Sequence, residues 1–99
     1  MFSHVVIFWT NPEKPNAADA LIEGAKKYLA GIPGVIHFHV GKMSPSHRAV
    51  VDQTYHVALS VQFESKAAEN AYQIHPSHLE FVEKTFNPNC IKVVVYDFE

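Results

Sequence analysis

The segment YHVALSVQF, residues 55–63, decides the fold. Tyr55, Val57, Leu59, Val61 and Phe63 alternate with His56, Ala58, Ser60 and Gln62, the period-two pattern of a strand. One of its faces is apolar throughout and requires a layer of helices against it. Upstream, Val35–Met43 alternates in the same way, with Ile36, Phe38 and Val40 on one face and His37, His39 and Gly41 on the other. The intervening SPSHRAVVDQ, residues 44–53, reads as a surface loop. The opening SHVVIFWT, residues 3–10, is β-branched and aromatic without polar alternation, the mark of a strand covered on both faces. A last strand follows in IKVVVYDF, residues 91–98.

Helical periodicity fills the gaps. Leu21, Ile22, Ala25, Tyr28, Leu29 and Ile32 form one stripe, with Asn16 expected as N-cap and Gly31 and Pro33-Gly34 as the stop. Ser65 can cap a second helix through Ala68, Ala71 and Tyr72. Pro76 interrupts it and fits the first position of a further stretch carrying Leu79, Phe81, Val82 and Phe86, and the last strand follows Asn87-Pro88. The expectation is one α+β domain over residues 1–99, in the order βαββαβ. Right-handed crossovers put both helical segments on one face of an antiparallel sheet. The other face, with Val5, Ile7, Trp9, Ala58, Val94, Tyr96 and several histidines, is too apolar for water and predicts a second copy as its cover.

Composition narrows the classes of function. With 47% hydrophobic and 18% charged residues, the 99-residue chain is an ordinary globular sequence. A formal net charge of −2 argues against nucleic-acid or anionic-membrane surfaces, which need a basic excess. The N-terminal MFSHVVIFWT lacks a basic region, and its apolar run is too short to span a bilayer. Cys90 stands alone, so no internal disulfide forms; it reads as a small apolar residue and fits a reducing cytoplasm.

The run AYQIHPSHLEFV, residues 71–82, is the most specific feature. Together with HVVIF at 4–8, GIPGV at 31–35 and VVYDF at 94–98, it resembles the stress-responsive A/B barrel family over essentially the whole chain. That resemblance implies a ferredoxin-like fold and a dimeric α/β barrel. It also implies a homodimer with a pocket between sheet and helices. In the polyketide cyclases of the family a tyrosine and a histidine in that pocket promote an aldol-type ring closure. By position they correspond to Tyr72 and His78, and a first-strand histidine corresponds to His4. Those cyclases carry a further histidine where this chain has Val57, a polar contact it lacks.

Physical chemistry supplies roles for the same residues. With His75 at the cap and Pro76 opening a helix, His78 falls in the first turn, where the macrodipole disfavours a positive charge. A neutral imidazole there can accept a proton from a carbon acid or phenol. Tyr72 can donate a hydrogen bond to a carbonyl or developing enolate. His4 shares a strand face with Val6 and Phe8, which with Tyr28, Val57 and Phe81 are expected to form an apolar wall, His75 lying beside it. No metal or redox cofactor is required. His37, His39 and His56 form a second group with partial metal-site spacing; polar positions lining a dimer interior suit them better. The function expected is binding, or cyclisation or isomerisation by a cofactor-independent cyclase/lyase or isomerase, of a small hydrophobic, aromatic or polyketide-like ligand. The alternatives are a non-catalytic stress-associated dimer and a ligand-binding module.

Overall fold

The computed structural model describes residues 1–99 as β1 (Phe2–Thr10), α1 (Ala17–Tyr28), β2 (His37–Lys42), β3 (Val57–Phe63), α2 (Lys66–Ile74), α3 (Pro76–Phe81) and β4 (Cys90–Phe98). A π-helical turn, Val82–Phe86, and a final helical turn, Asn87–Asn89, join α3 to β4. The strands lie in the order β2-β3-β1-β4, each pair antiparallel, which is the ferredoxin-like α+β arrangement. No helix is long and apolar enough to cross a membrane.

The unbroken apolar row of β3 faces the helices. Val57, Leu59, Val61 and Phe63 are all buried, against Leu21 and Ala25 of α1, Tyr72 of α2 and Phe81 of α3. Ser65 caps α2 through its hydroxyl, which accepts from Ala68 N–H at 3.2 Å. His75 caps α3, its Nδ1 accepting from Ser77 N–H at 3.0 Å, and Pro76 follows where a missing N–H costs nothing. Gly34 takes a φ of 96° in the turn before β2, a conformation that only glycine adopts without strain. Gly24 sits where a Cβ would strike the Thr85 side chain, so this glycine lets α1 lie directly on the π-helical turn.

Some local expectations are corrected. Asn16 precedes α1 without a side-chain capping bond; its carbonyl alone joins the helix, accepting from Ala20 N–H. β2 is shorter than its alternating pattern, and Ile36 stays outside it and exposed. Asn87-Pro88 lies in the last helical turn, which runs through Asn89 before β4 begins at Cys90, as the order of the sequence implied. Within one chain β1 is covered fully on the helix side alone, which leaves its other face to the second copy the sequence predicts. His4, Val6, Phe8 and Thr10 are buried toward the helices, while Val5, Ile7 and Trp9 on the far side are only half-buried.

The far side of the sheet carries no element of this chain. Register places Val5 opposite Tyr96 and Ser60, and Ile7 opposite Val94 and Ala58, so their side chains form one continuous apolar band. Tyr96 and Phe98 are 61% and 60% exposed at its β4 end. As an edge strand of nine residues, β4 also leaves a row of backbone groups unpaired.

Candidate functional site

A cavity of about 160 Å³ opens between the sheet and the helices beside β4. Its walls are predominantly apolar. Val6 and Phe8 of β1 and Leu59 of β3 supply the floor, and Phe81, Val82 and Phe86 supply the helical side. Val93 and Val95 of the edge strand β4 form its rim, 39% and 47% exposed. Four polar side chains enter it: His4, Tyr72, Gln73 and His78.

Tyr72 and His78 come together because α2 breaks at His75-Pro76. The break redirects the chain so that the His78 ring meets the Tyr72 ring edge-on, with centroids 4.9 Å apart. Both polar ends are orphaned: Tyr72 Oη and His78 Nδ1 are buried and find no hydrogen-bond partner in the protein. Buried polar atoms are nearly always paired, so two unpaired ones side by side in a cavity are a chemical feature. Burial, then the Glu69 charge, pushes the Tyr72 hydroxyl far above the usual phenol range, so it remains a donor. Burial lowers the pKa of His78, and the neighbouring His4 lowers it further. The neutral imidazole expected at the helix start is therefore favoured chiefly by burial.

His4 is held differently. Its Nδ1 donates to Asp97 Oδ1 at 2.6 Å, because β1–β4 register sets the two residues opposite each other. That assignment leaves Nε2 with a lone pair, toward which the Gln73 amide nitrogen points across a long 3.4 Å contact. The same amide donates to Glu69 Oε2 at 2.6 Å, and that carboxylate lies 3.7 Å from His4 Nδ1. Glu69 and Gln73 sit one turn apart on α2, and Glu69 is a carboxylate 95% withdrawn from solvent, at 5% exposure. The result is a continuous chain from Asp97 through His4 and Gln73 to Glu69.

The structure thus brings His4, Tyr72, His78, Val6, Phe8 and Phe81 to one cavity. Three residues expected there lie elsewhere. Val57 is sealed at 0% exposure in the core beneath the helices, although its register partner Phe8 lies on the cavity floor. Tyr28 is tied in through its carbonyl, which accepts from the Ser77 hydroxyl and joins α1 to the start of α3. His75 is engaged as the α3 cap. Sequence reasoning missed Glu69, Gln73 and Asp97; the one available signal was the four-residue spacing of Glu69 and Gln73 about Tyr72. His37 and His39 project from β2 on the helix-free face, whereas His56 accepts from Thr10 N–H at 3.0 Å, so the three do not gather. No three His, Cys, Asp or Glu side chains form a metal-binding group. Cys90 is half-buried, and burial raises its thiol to about 11, which keeps it unreactive.

An antiparallel βαββαβ sandwich with one apolar cavity between its layers defines a ferredoxin-like α+β protein. The chain belongs to the stress responsive A/B barrel domain family, whose profile matches residues 2–99. A stress-response A/B barrel domain-containing protein of Arabidopsis thaliana is 29% identical, over 98% of this chain and 84% of its own length. A family member from Mesorhizobium loti with a ferredoxin-like fold is 28% identical at a TM-score of 0.79, covering 99% of this chain and 94% of that one. A dimeric ferredoxin-like protein from Thermobifida fusca superposes at 0.80 with 21% identity, over 98% and 88% of the two chains. The fold is also that of a hydroxynitrile lyase from Passiflora edulis, at 0.77 and 24% identity over 98% and 90%.

Proposed function

We propose that the protein is a cytoplasmic homodimer with one small apolar pocket per subunit, in which an aromatic or polyketide-like molecule undergoes cofactor-independent proton transfer leading to cyclisation or isomerisation. The observation that carries this reading is the pair of buried, unpartnered atoms, Tyr72 Oη and His78 Nδ1, on side chains lining a predominantly apolar cavity. A ligand carbonyl can accept the Tyr72 hydrogen while His78 removes a proton from the adjacent carbon. The electron pair left behind moves onto the carbonyl oxygen, where the phenol stabilises the enolate. That enolate then attacks a second carbonyl, or takes its proton back at another carbon. His4, held through Asp97, lines the opposite wall and turns its ring toward Tyr72, with centroids 6.0 Å apart. The name of the Passiflora protein adds that this scaffold can house a lyase.

Dimerisation rests on the uncovered apolar band through Val5, Ile7, Val94 and Tyr96, which a second copy would bury. A relative described as dimeric fits that assignment. Sedimentation equilibrium should give a dimer, and a Val94→Arg variant a monomer; a wild-type monomer at high concentration overturns it.

The chemistry can be tested without the natural substrate. In D2O, the methyl protons of acetophenone exchange through an enolate, and the protein should accelerate that exchange. His78→Ala should lose roughly 10²–10⁴-fold, the range for a general base. A rate unchanged in His78→Ala refutes the assignment. A binding module without turnover is the second reading, favoured because both His4 nitrogens are engaged and one free base remains. It predicts acetophenone binding with no acceleration of exchange.

A further inference from the structure

We infer that Glu69, backed by Asp97, is a specificity-determining residue that makes the pocket select an uncharged single-ring hydroxy or carbonyl compound and reject carboxylates. The inference rests on reading the cavity as a ligand site and concerns what that site admits. Size gives the first limit. At about 160 Å³ the cavity is close to the roughly 150 Å³ that accommodates one benzene ring in a protein interior. An extended acyl chain would have to lie along the exposed rim at Val93 and Val95.

Chemistry gives the second limit. Tyr72 offers a hydrogen through Oη, and neutral His78 accepts through Nδ1. A hydroxyl or a carbonyl beside an acidic C–H satisfies both. A carboxylate offers His78 nothing to accept.

Charge gives the third. No lysine or arginine lines the cavity. Glu69 is withdrawn from solvent, bonds the Gln73 amide at the cavity wall, and exerts its charge on Tyr72. Asp97 adds a second carboxylate behind His4. Even a protonated His4 would answer only one of these two charges, and His78 is held neutral by burial. An anionic ligand seated against Tyr72 and His78 would therefore meet net negative charge and find no lysine or arginine to compensate it. The feature belongs to these particular residues: the Glu69 side chain is a buried acid on a helix whose one other charge, Lys66, is exposed.

The test titrates the wild-type protein at neutral pH with acetophenone and with benzoate, following the His78 and Tyr72 resonances by NMR. Acetophenone should bind at least about tenfold more tightly than benzoate, the factor expected from one unit charge several ångströms away in a protein interior. Glu69→Gln keeps the shape and the contact to Gln73, and should bring benzoate to within a few-fold of acetophenone. Asp97→Asn lies at a side chain 43% exposed, so it should fold whatever happens to the Glu69 variant, and it should shift the ratio the same way by a smaller factor. Benzoate binding wild type as tightly as acetophenone overturns the inference while leaving the pocket in place. So does an unchanged ratio in the folded variants. If neither probe binds the wild type, the pocket reading falls and takes the inference with it.

Discussion

Two polar walls of one cavity each present a histidine and end in opposite states. On one, Asp97, His4, Gln73 and Glu69 are linked through contacts of 2.6, 3.4 and 2.6 Å, and each side chain has a partner. On the other, Tyr72 and His78 touch ring against ring while Oη and Nδ1 remain unpaired. A satisfied buried network stabilises the fold and fixes side-chain geometry. An orphaned buried pair costs stability, about 1–3 kcal/mol for each unmet group, and recovers that cost only when something else supplies the bonds. The first wall therefore reads as scaffold and the second as the working surface, although each presents a histidine to the same space. Glu69 connects them: it anchors Gln73 on one side, and on the other its charge adds to the burial that keeps the Tyr72 hydroxyl protonated.

The sharpest way to break this contrast is to mutate each wall and measure stability. His4→Ala removes a buried ring and leaves a cavity, while Asp97 turns to solvent and Glu69 keeps Gln73, so it should destabilise by about 3 kcal/mol in urea unfolding. Tyr72→Phe deletes an unsatisfied hydroxyl and keeps the ring packing against Phe63, 5.0 Å away, and should stabilise by about 1 kcal/mol. The same variant should lose acetophenone binding. Opposite signs on stability at two aromatic residues lining one cavity would be hard to obtain from packing alone. If Tyr72→Phe instead destabilises, Oη has a partner in solution and the working wall is misassigned.

How far the sequence carried this argument differs between the walls. Tyr72 and His78 were legible because His75-Pro76 forces a helix break between them, and a break is written in local chemistry. Ser65 as a cap and the apolar row from Val57 to Phe63 were legible for the same reason. The network wall was not. Glu69 and Gln73 look like any solvated pair on a helix surface, and only the tertiary position of α2 over β1 buries them. Asp97 meets His4 through strand register, which residue patterns leave open when two strands are ninety residues apart. Val57 failed in the opposite direction: it shares a face with the cavity residues, but α-helical cover seals it completely. The edge position of β4 was likewise a matter of topology. Its valines have the composition of a covered strand, yet Val93 and Val95 remain open as the rim.

The smallest expected effect is in pH dependence, and it concerns the working wall alone. Burial lowers the pKa of His78 in the folded state, below the ordinary value of 6.5 that the unfolded chain approximates. Above that value both states carry a neutral imidazole, and the full contribution of the buried ring is present. As the pH falls below 6.5, the unfolded chain takes up a proton that the native protein still refuses, so stability is lost until the native pKa is passed. Urea midpoints measured between pH 7.5 and 5 should therefore fall toward acid, and His78→Leu should flatten that fall without reversing it. Bound acetophenone, by keeping His78 neutral, should steepen it. A wild-type curve and a His78→Leu curve that run parallel would mean that the imidazole is as easily protonated in the fold as outside it. The site would then have no neutral base poised beside Tyr72.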